Sequence, residues 1–158
     1  MNMQAAEHYR QGQVMSCTPA ETVLMLYQGA IRFLRSAIKE IAEKRNIAEK
    51  ARLIKKTLSI IEYLQSCLDK EKGGEIAKNL DGLYEYMLIR LTEANLKNDE
   101  DKIEEVVKLL LLLTEAWAEV CRKTNGSNDH QPDLTDQFAS SITIPEGQQP
   151  TRKIQVHV

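Results

Sequence analysis

The sequence predicts an all-α protein: an antiparallel, up-down four-helix bundle with a flexible N-terminal arm and a disordered C-terminal tail. Three observations predict it. No proline falls between Pro19 and Pro132, and between Gly12 and Gly126 only Gly29, Gly73, Gly74 and Gly82 interrupt the chain. Through this stretch apolar residues recur at spacings of three and four, the pattern of helices with one buried face. The pair Gly73-Gly74 divides the stretch in the middle, because two adjacent glycines readily take positive φ, stop one helix and let the next start in a new direction. One helical hairpin lies on each side. The chain divides into an arm over residues 1–17, a bundle over 18–123 and a tail over 124–158.

The arm is polar with scattered apolar points at Met3, Tyr9, Val14 and Met15. It reads either as a frayed terminus or as a short arm that lays Tyr9 and Val14 on the bundle. The first helix announces itself at Thr18-Pro19-Ala20-Glu21, where Thr18 can accept from a free amide, Pro19 suits the first helical position and Glu21 can reach back to the cap. Its apolar face runs Val23, Tyr27, Ala30, Ile31, Leu34, Ala37, Ile38 and Ile41, and it ends near residues 44–46. The second helix, about residues 46–69, carries a core stripe of Ile47, Ala51, Ile54, Leu58, Ile61 and Leu68. A second stripe, Leu53, Thr57, Ile60, Leu64 and Cys67, is equally regular and gives the helix nearly twice the apolar face that one neighbour requires.

The third helix follows the two glycines with Ile76, Leu80, Leu83, Met87, Leu91 and Ala94 on its core face, and Tyr84, Tyr86, Leu88 and Ile89 beyond it. The fourth opens at Asp99-Glu100-Asp101, where negative charge suits a helix N-terminus. Its core face is Ile103, Val106, Leu110, Leu113, Trp117 and Cys121, and Leu109, Leu112 and Ala116 form a second stripe expected to face away from the core. From Thr124 onward the chain is rich in Asn, Ser, Gln, Asp, Gly and Pro, has no helical period and reads as disordered.

Composition removes several functions. The net charge of −2 resides in the tail, and the rest of the chain is balanced, so there is no electrostatic footprint for nucleic acid or an anionic membrane. The apolar run at Leu109–Leu113 is far too short to span a bilayer, and the N-terminus has no signal-peptide pattern. The three cysteines, Cys17, Cys67 and Cys121, are odd in number and lack metal or redox spacing, which suits a reducing cytosol. No histidine lies between His8 and His130, so neither a His-dependent metal site nor a Ser-His-Asp arrangement can be built on the helices. No cofactor, metal or catalytic residue is expected.

The surplus apolar surface is the feature left to explain. Leu53, Thr57, Ile60, Leu64 and Cys67 on the second helix, with Leu109, Leu112 and Ala116 on the fourth, are the candidate lining of a groove for an amphipathic or unfolded partner segment. Self-association and burial under the arm are the alternatives.

Three separated stretches resemble one family in order and register: Thr18-Pro19-Ala20-Glu21 continuing through Leu24–Leu34, then Lys72–Leu80 with Leu83–Met87, then Asn95 and Glu115-Ala116-Trp117. The chain is similar over about residues 9–121 to the flagellar secretion chaperone FliS family. The resemblance implies an ATP-independent bundle in a bacterial cytoplasm that binds the disordered C-terminal segment of flagellin. It further implies that such a protein prevents premature polymerisation and delivers flagellin to the export gate protein of the type III apparatus. In such proteins the N-terminal segment can cover part of the groove, and Tyr9 matches a tyrosine implicated in contact with the export gate. A regulatory co-chaperone competing for the same groove is a further partner. Replacing Leu64 or Leu112 with a charged residue is expected to weaken flagellin binding while thermal stability stays nearly unchanged; a large stability loss would place the residue in the core.

Overall fold

The computed structural model describes residues 14–126, with side chains through residue 123. Four α-helices follow one another: α1 (Ala20–Ala42), α2 (Ile47–Ser66), α3 (Gly74–Lys97) and α4 (Glu100–Gly126). The connections are short, at 43–46, 67–73 and 98–99, and short connections force successive helices to run antiparallel. Helix α1 packs against α2 and α4, and α3 packs against the same two. The result is a square up-down-up-down bundle in which α1 faces α3 and α2 faces α4 across the diagonals.

Local chemistry sets the ends of the helices. Asn46 is extended and its side-chain oxygen accepts from the Glu49 amide at 3.0 Å, starting α2. Asn98 closes α3 in the left-handed region, at φ 52°, where a short polar residue is tolerated. Asp99 then accepts from the amides of Asp101 at 3.1 Å and Lys102 at 3.3 Å, satisfying two donors at the start of α4. Gly74 takes φ +55°, the conformation that the central glycine pair was expected to supply. The start of α1 differs from expectation. Pro19 is extended and serves as the cap with no side-chain hydrogen bond, so the Thr18–Glu21 capping box does not form. Thr18 is instead buried, one residue outside the helix.

The core contains the expected faces of α1, α3 and α4, including Tyr27, Leu34, Leu80, Met87, Ile103 and Leu110. At its centre the Tyr27 and Tyr84 hydroxyls meet at 2.6 Å, joining α1 to α3 across the diagonal. Both rings are fully buried, and burial pushes both phenols well above their ordinary range. A buried hydroxyl without a partner is costly, so this pair fixes the relative register of two helices that are not neighbours.

The second stripes need correction. Leu53, Thr57 and Leu64 on α2, Cys67 at its C-terminal cap, and Leu109 and Ala116 on α4 are buried in the bundle rather than facing away from it. Conversely Ile47, assigned to the core, is exposed, and Leu58 is half-buried. The reason is geometric: a corner helix touches two neighbours, and one stripe serves each. The Thr57 hydroxyl donates to the Leu53 carbonyl at 3.1 Å, so its burial leaves no orphaned donor.

The two positions Leu64 and Leu112 therefore separate. Leu64 is 0% exposed and Leu112 is 38% exposed. Leu64→Ala should destabilise the fold by about 2–5 kcal/mol, as a cavity-forming core truncation does. Leu112→Ala should change stability by about 0.5 kcal/mol or less. Urea unfolding of both variants checks this, and equal losses would contradict the packing described.

Candidate partner-binding surface

The seams between helices are bridged by side chains, which determines what a partner can reach. Between α3 and α4, the Tyr86 hydroxyl donates to Glu105 Oε2 at 2.5 Å and the Arg90 Nε–H donates to Glu105 Oε1 at 2.9 Å. The Arg90 guanidinium also lies 5.5 Å from the Tyr86 ring centroid. Between α2 and α3, the Gln65 amide donates to Asp81 and Glu85, each at 3.1 Å, and Lys70 pairs with Asp81 at 3.2 Å. At the other end of that seam Lys50, only 2% exposed, donates to the carbonyl and side-chain oxygens of Asn95, each at 2.8 Å. The cation there faces the last turn of α3, where a helix favours positive charge. Burial draws the Lys50 ammonium below its ordinary pKa.

Side chains also bridge the α1 seams. Lys56 of α2 sits 5.4 Å from the Phe33 ring centroid. The Trp117 indole N–H of α4 donates to the Ala20 carbonyl at 2.9 Å, tying the end of α4 to the start of α1. The side chains left exposed lie on the outer faces of the bundle and at its ends.

On those outer faces the exposed large apolar residues are Met25 on α1, Ile47 and Tyr63 on α2, Ile89 and Leu96 on α3, and Leu111 and Leu112 on α4. Ile60 is half-buried, one turn from Tyr63. Of the eight groove residues expected from sequence, Ile60 and Leu112 reach the surface. They stand on helices at opposite corners, so a segment touching both must wrap across α1 or α3.

The remaining feature lies at the end of α2. Val14 and Met15 are buried, and Met15 pairs with Leu68 in an isolated antiparallel bridge. The segment continues through Ser16 to Cys17, which is disulfide-bonded to Cys67 across 50 residues of sequence. This departs from the expectation that the cysteines, lacking metal or redox spacing, suit a reducing cytosol. No sequence spacing signals the bond, because it joins the strap to a helix end that only the fold brings near. Val14 lies where an arm on the bundle was expected, while Tyr9 falls outside the described residues. Among the described residues no group of His, Cys, Asp or Glu can hold a metal ion, and no helix is long and apolar enough to cross a membrane.

Comparison with known proteins identifies the family of this bundle. The family model described as flagellar protein FliS matches residues 1–124. The chain belongs to the FliS family. A FliS relative from Pseudomonas aeruginosa, flagellar secretion chaperone FliSB, is 42% identical over 119 residues, covering 73% of this chain and 94% of its own. The Salmonella typhimurium flagellar secretion chaperone FliS is 42% identical over 113 residues, covering 71% and 83%. That of Bacillus subtilis is 34% identical over 109 residues, covering 69% and 80%. These FliS relatives are named as chaperones, not enzymes, and the FliS match covers residues 14–17, the first three helices and α4 through residue 124.

Titration should report the α3–α4 seam. Burial, followed by the hydrogen bond to Glu105, raises the Tyr86 phenol from 10.0 to about 12. The folded state thus holds a proton that the unfolded state loses between pH 10.0 and about 12. Stability from this group is complete below pH 10.0 and falls as pH rises through that window. Tyr27 and Tyr84 are shifted in the same direction. Urea midpoints should therefore drop above pH 10, and less steeply in Tyr86→Phe; equal slopes would mean that the seam leaves Tyr86 unperturbed.

Proposed function

We propose that this chain is an ATP-independent flagellar export chaperone. It binds the disordered C-terminal segment of flagellin in a 1:1 complex, prevents premature polymerisation and hands the segment to the export gate protein in the bacterial cytoplasm. The observation that carries the proposal is the FliS family match over residues 1–124, joined to a bundle whose seams are closed and whose outer faces still expose large apolar residues.

Physical chemistry supports the mechanism. Terminal segments that coil into a filament are amphipathic, and a chaperone restrains them by covering their apolar faces. Each large side chain buried contributes about 1.5–3 kcal/mol, and the segment loses ordering entropy in return. A few anchors therefore give useful affinity without irreversible capture. Ile60 and Leu112 are the groove candidates available on the closed bundle. Leu53, Thr57, Leu64, Cys67, Leu109 and Ala116 contribute from beneath, by supporting the surface or through movement of what covers them. Release follows when another protein takes the segment, as in transfer to the export gate, with Tyr9 and its flanking arm as the contact. A regulatory co-chaperone would compete for the same surface.

Calorimetric titration with a flagellin C-terminal peptide tests the reading. A 1:1 complex with a negative heat-capacity change is expected, and Leu112→Asp should weaken it without unfolding the bundle. Absence of heat, with light scattering showing a stable dimer, would assign the exposed apolar residues to self-association instead.

A further inference from the structure

The strap 14–17 has an anchoring unlike that of any helix in the bundle. It is irregular apart from the single Met15–Leu68 bridge and is hydrogen-bonded to the turn after α2. The Asp69 amide donates to the Val14 carbonyl at 2.8 Å, and the Ser16 amide and hydroxyl donate to the Cys67 carbonyl at 2.7 and 3.1 Å. Val14, Met15, Cys67 and Leu68 are all buried, and Met15 is bridged to Leu68 just after α2. Removing Val14 and Met15 would open an apolar site there. One covalent bond, Cys17–Cys67, holds the strap in addition to these contacts.

The two sulfurs of that bond are not equivalent. Cys17 is exposed and Cys67 is fully buried, so an incoming thiolate reaches the bond from the Cys17 side. Cys121 is a poor internal competitor, because burial and then the nearby Glu21 charge raise its thiol above the ordinary value. We propose that the Cys17–Cys67 disulfide is a thiol-opened latch, which a dithiol reductant undoes to release the strap and uncover the apolar end of α2 for a partner segment.

The chemistry balances as thiol–disulfide exchange. A thiolate of the reductant attacks Cys17 Sγ; the Sγ–Sγ bond breaks, and Cys67 leaves as a thiolate that takes up a proton. The second thiol of the reductant then displaces Cys17 from the mixed disulfide, and Cys17 is protonated in turn. The reductant becomes a disulfide and two electrons pass to the protein. Once the bond is cut, the strap is held only by a few hydrogen bonds and two side chains. It then opens in a local equilibrium separate from unfolding of the bundle. This regulation rests on the chaperone reading above, whereas the latch itself does not.

Hydrogen exchange on the full chain separates the two. In the oxidised protein the Asp69 and Ser16 amides should be protected. Reduction by dithiothreitol, and independently Cys17→Ser, should speed their exchange by about tenfold or more, with amides in the middle of α2 unchanged. Unchanged exchange at both amides after reduction, or free thiols at Cys17 and Cys67 in protein equilibrated with oxidised glutathione, would overturn the latch. Titration with the flagellin C-terminal peptide is then made on both forms. Tighter binding by the reduced form, by about tenfold, supports control of the binding site. Equal affinity overturns that control. Binding to neither form counts against the chaperone reading and leaves the exchange result to decide the latch.

Discussion

A helix at the corner of a square bundle has two neighbours, and everything else in this molecule follows from satisfying both. A single apolar stripe of two or three residues per two turns covers one contact. The second contact requires another stripe about a quarter-turn away, and α2 and α4 each carry one. Ile54 and Ile61 form one edge of the buried face of α2; Leu53, Thr57 and Leu64 form the other. Apolar width that looks like surplus on an isolated helix is thus consumed by the architecture. What remains for function is the narrower set of residues beyond both edges.

The same constraint accounts for the polar groups at the centre. Stripes alone tolerate sliding of one helix along another, because leucines three and four residues apart are interchangeable. The Tyr27–Tyr84 hydrogen bond does not tolerate it, since a shift would leave two buried hydroxyls unpaired. Lys50 against the end of α3 and Trp117 against the start of α1 act similarly at the two ends of the bundle. Three polar contacts, each between different helices, convert a generic apolar bundle into one register. The opposing demands are also visible in the ionisable groups: burial drives the tyrosines toward the neutral form, in which their hydrogen bonds are made.

The architecture was legible in the sequence because it depends on period and punctuation. The four helices, their order, the central glycine turn and the core faces of α1 and α3 can be read from spacing alone. Positions that depend on which helices become neighbours were not. Leu64 and Leu109 carry the same periodic signal whether they face a partner protein or a second helix, and only the square arrangement distinguishes the two. Ile47 failed in the opposite way: it sits at the first position of α2, before the helix has reached its neighbour. Thr18 offered good capping chemistry, but the extended Pro19 took the cap instead. The Cys17–Cys67 bond has no local signature at all, since a strap residue and a helix end separated by 50 positions meet only after folding.

A chaperone without a nucleotide cycle faces a particular difficulty: the apolar surface that gives it affinity also threatens its own solubility and its ability to let go. A fully closed bundle avoids the first problem and has little left to bind with. A permanently open groove binds well but exposes large side chains whenever it is empty. Two features of this structure lie between those extremes. The exposed apolar residues are distributed over all four helices, and a long unfolded segment wrapping the bundle would collect several. At the end of α2 the chain's own strap packs beside Cys67 and Leu68, and on the proposal above it would act as an intramolecular competitor of a partner segment. A competitor attached to the same chain needs only modest intrinsic affinity, because its effective concentration is high. With the Cys17–Cys67 bond opened, the strap would shield the site when no partner is present and return when the partner is drawn away. On this argument the strap does more than finish the fold: it sets the free energy a partner must exceed to bind, and therefore how readily that partner can be released.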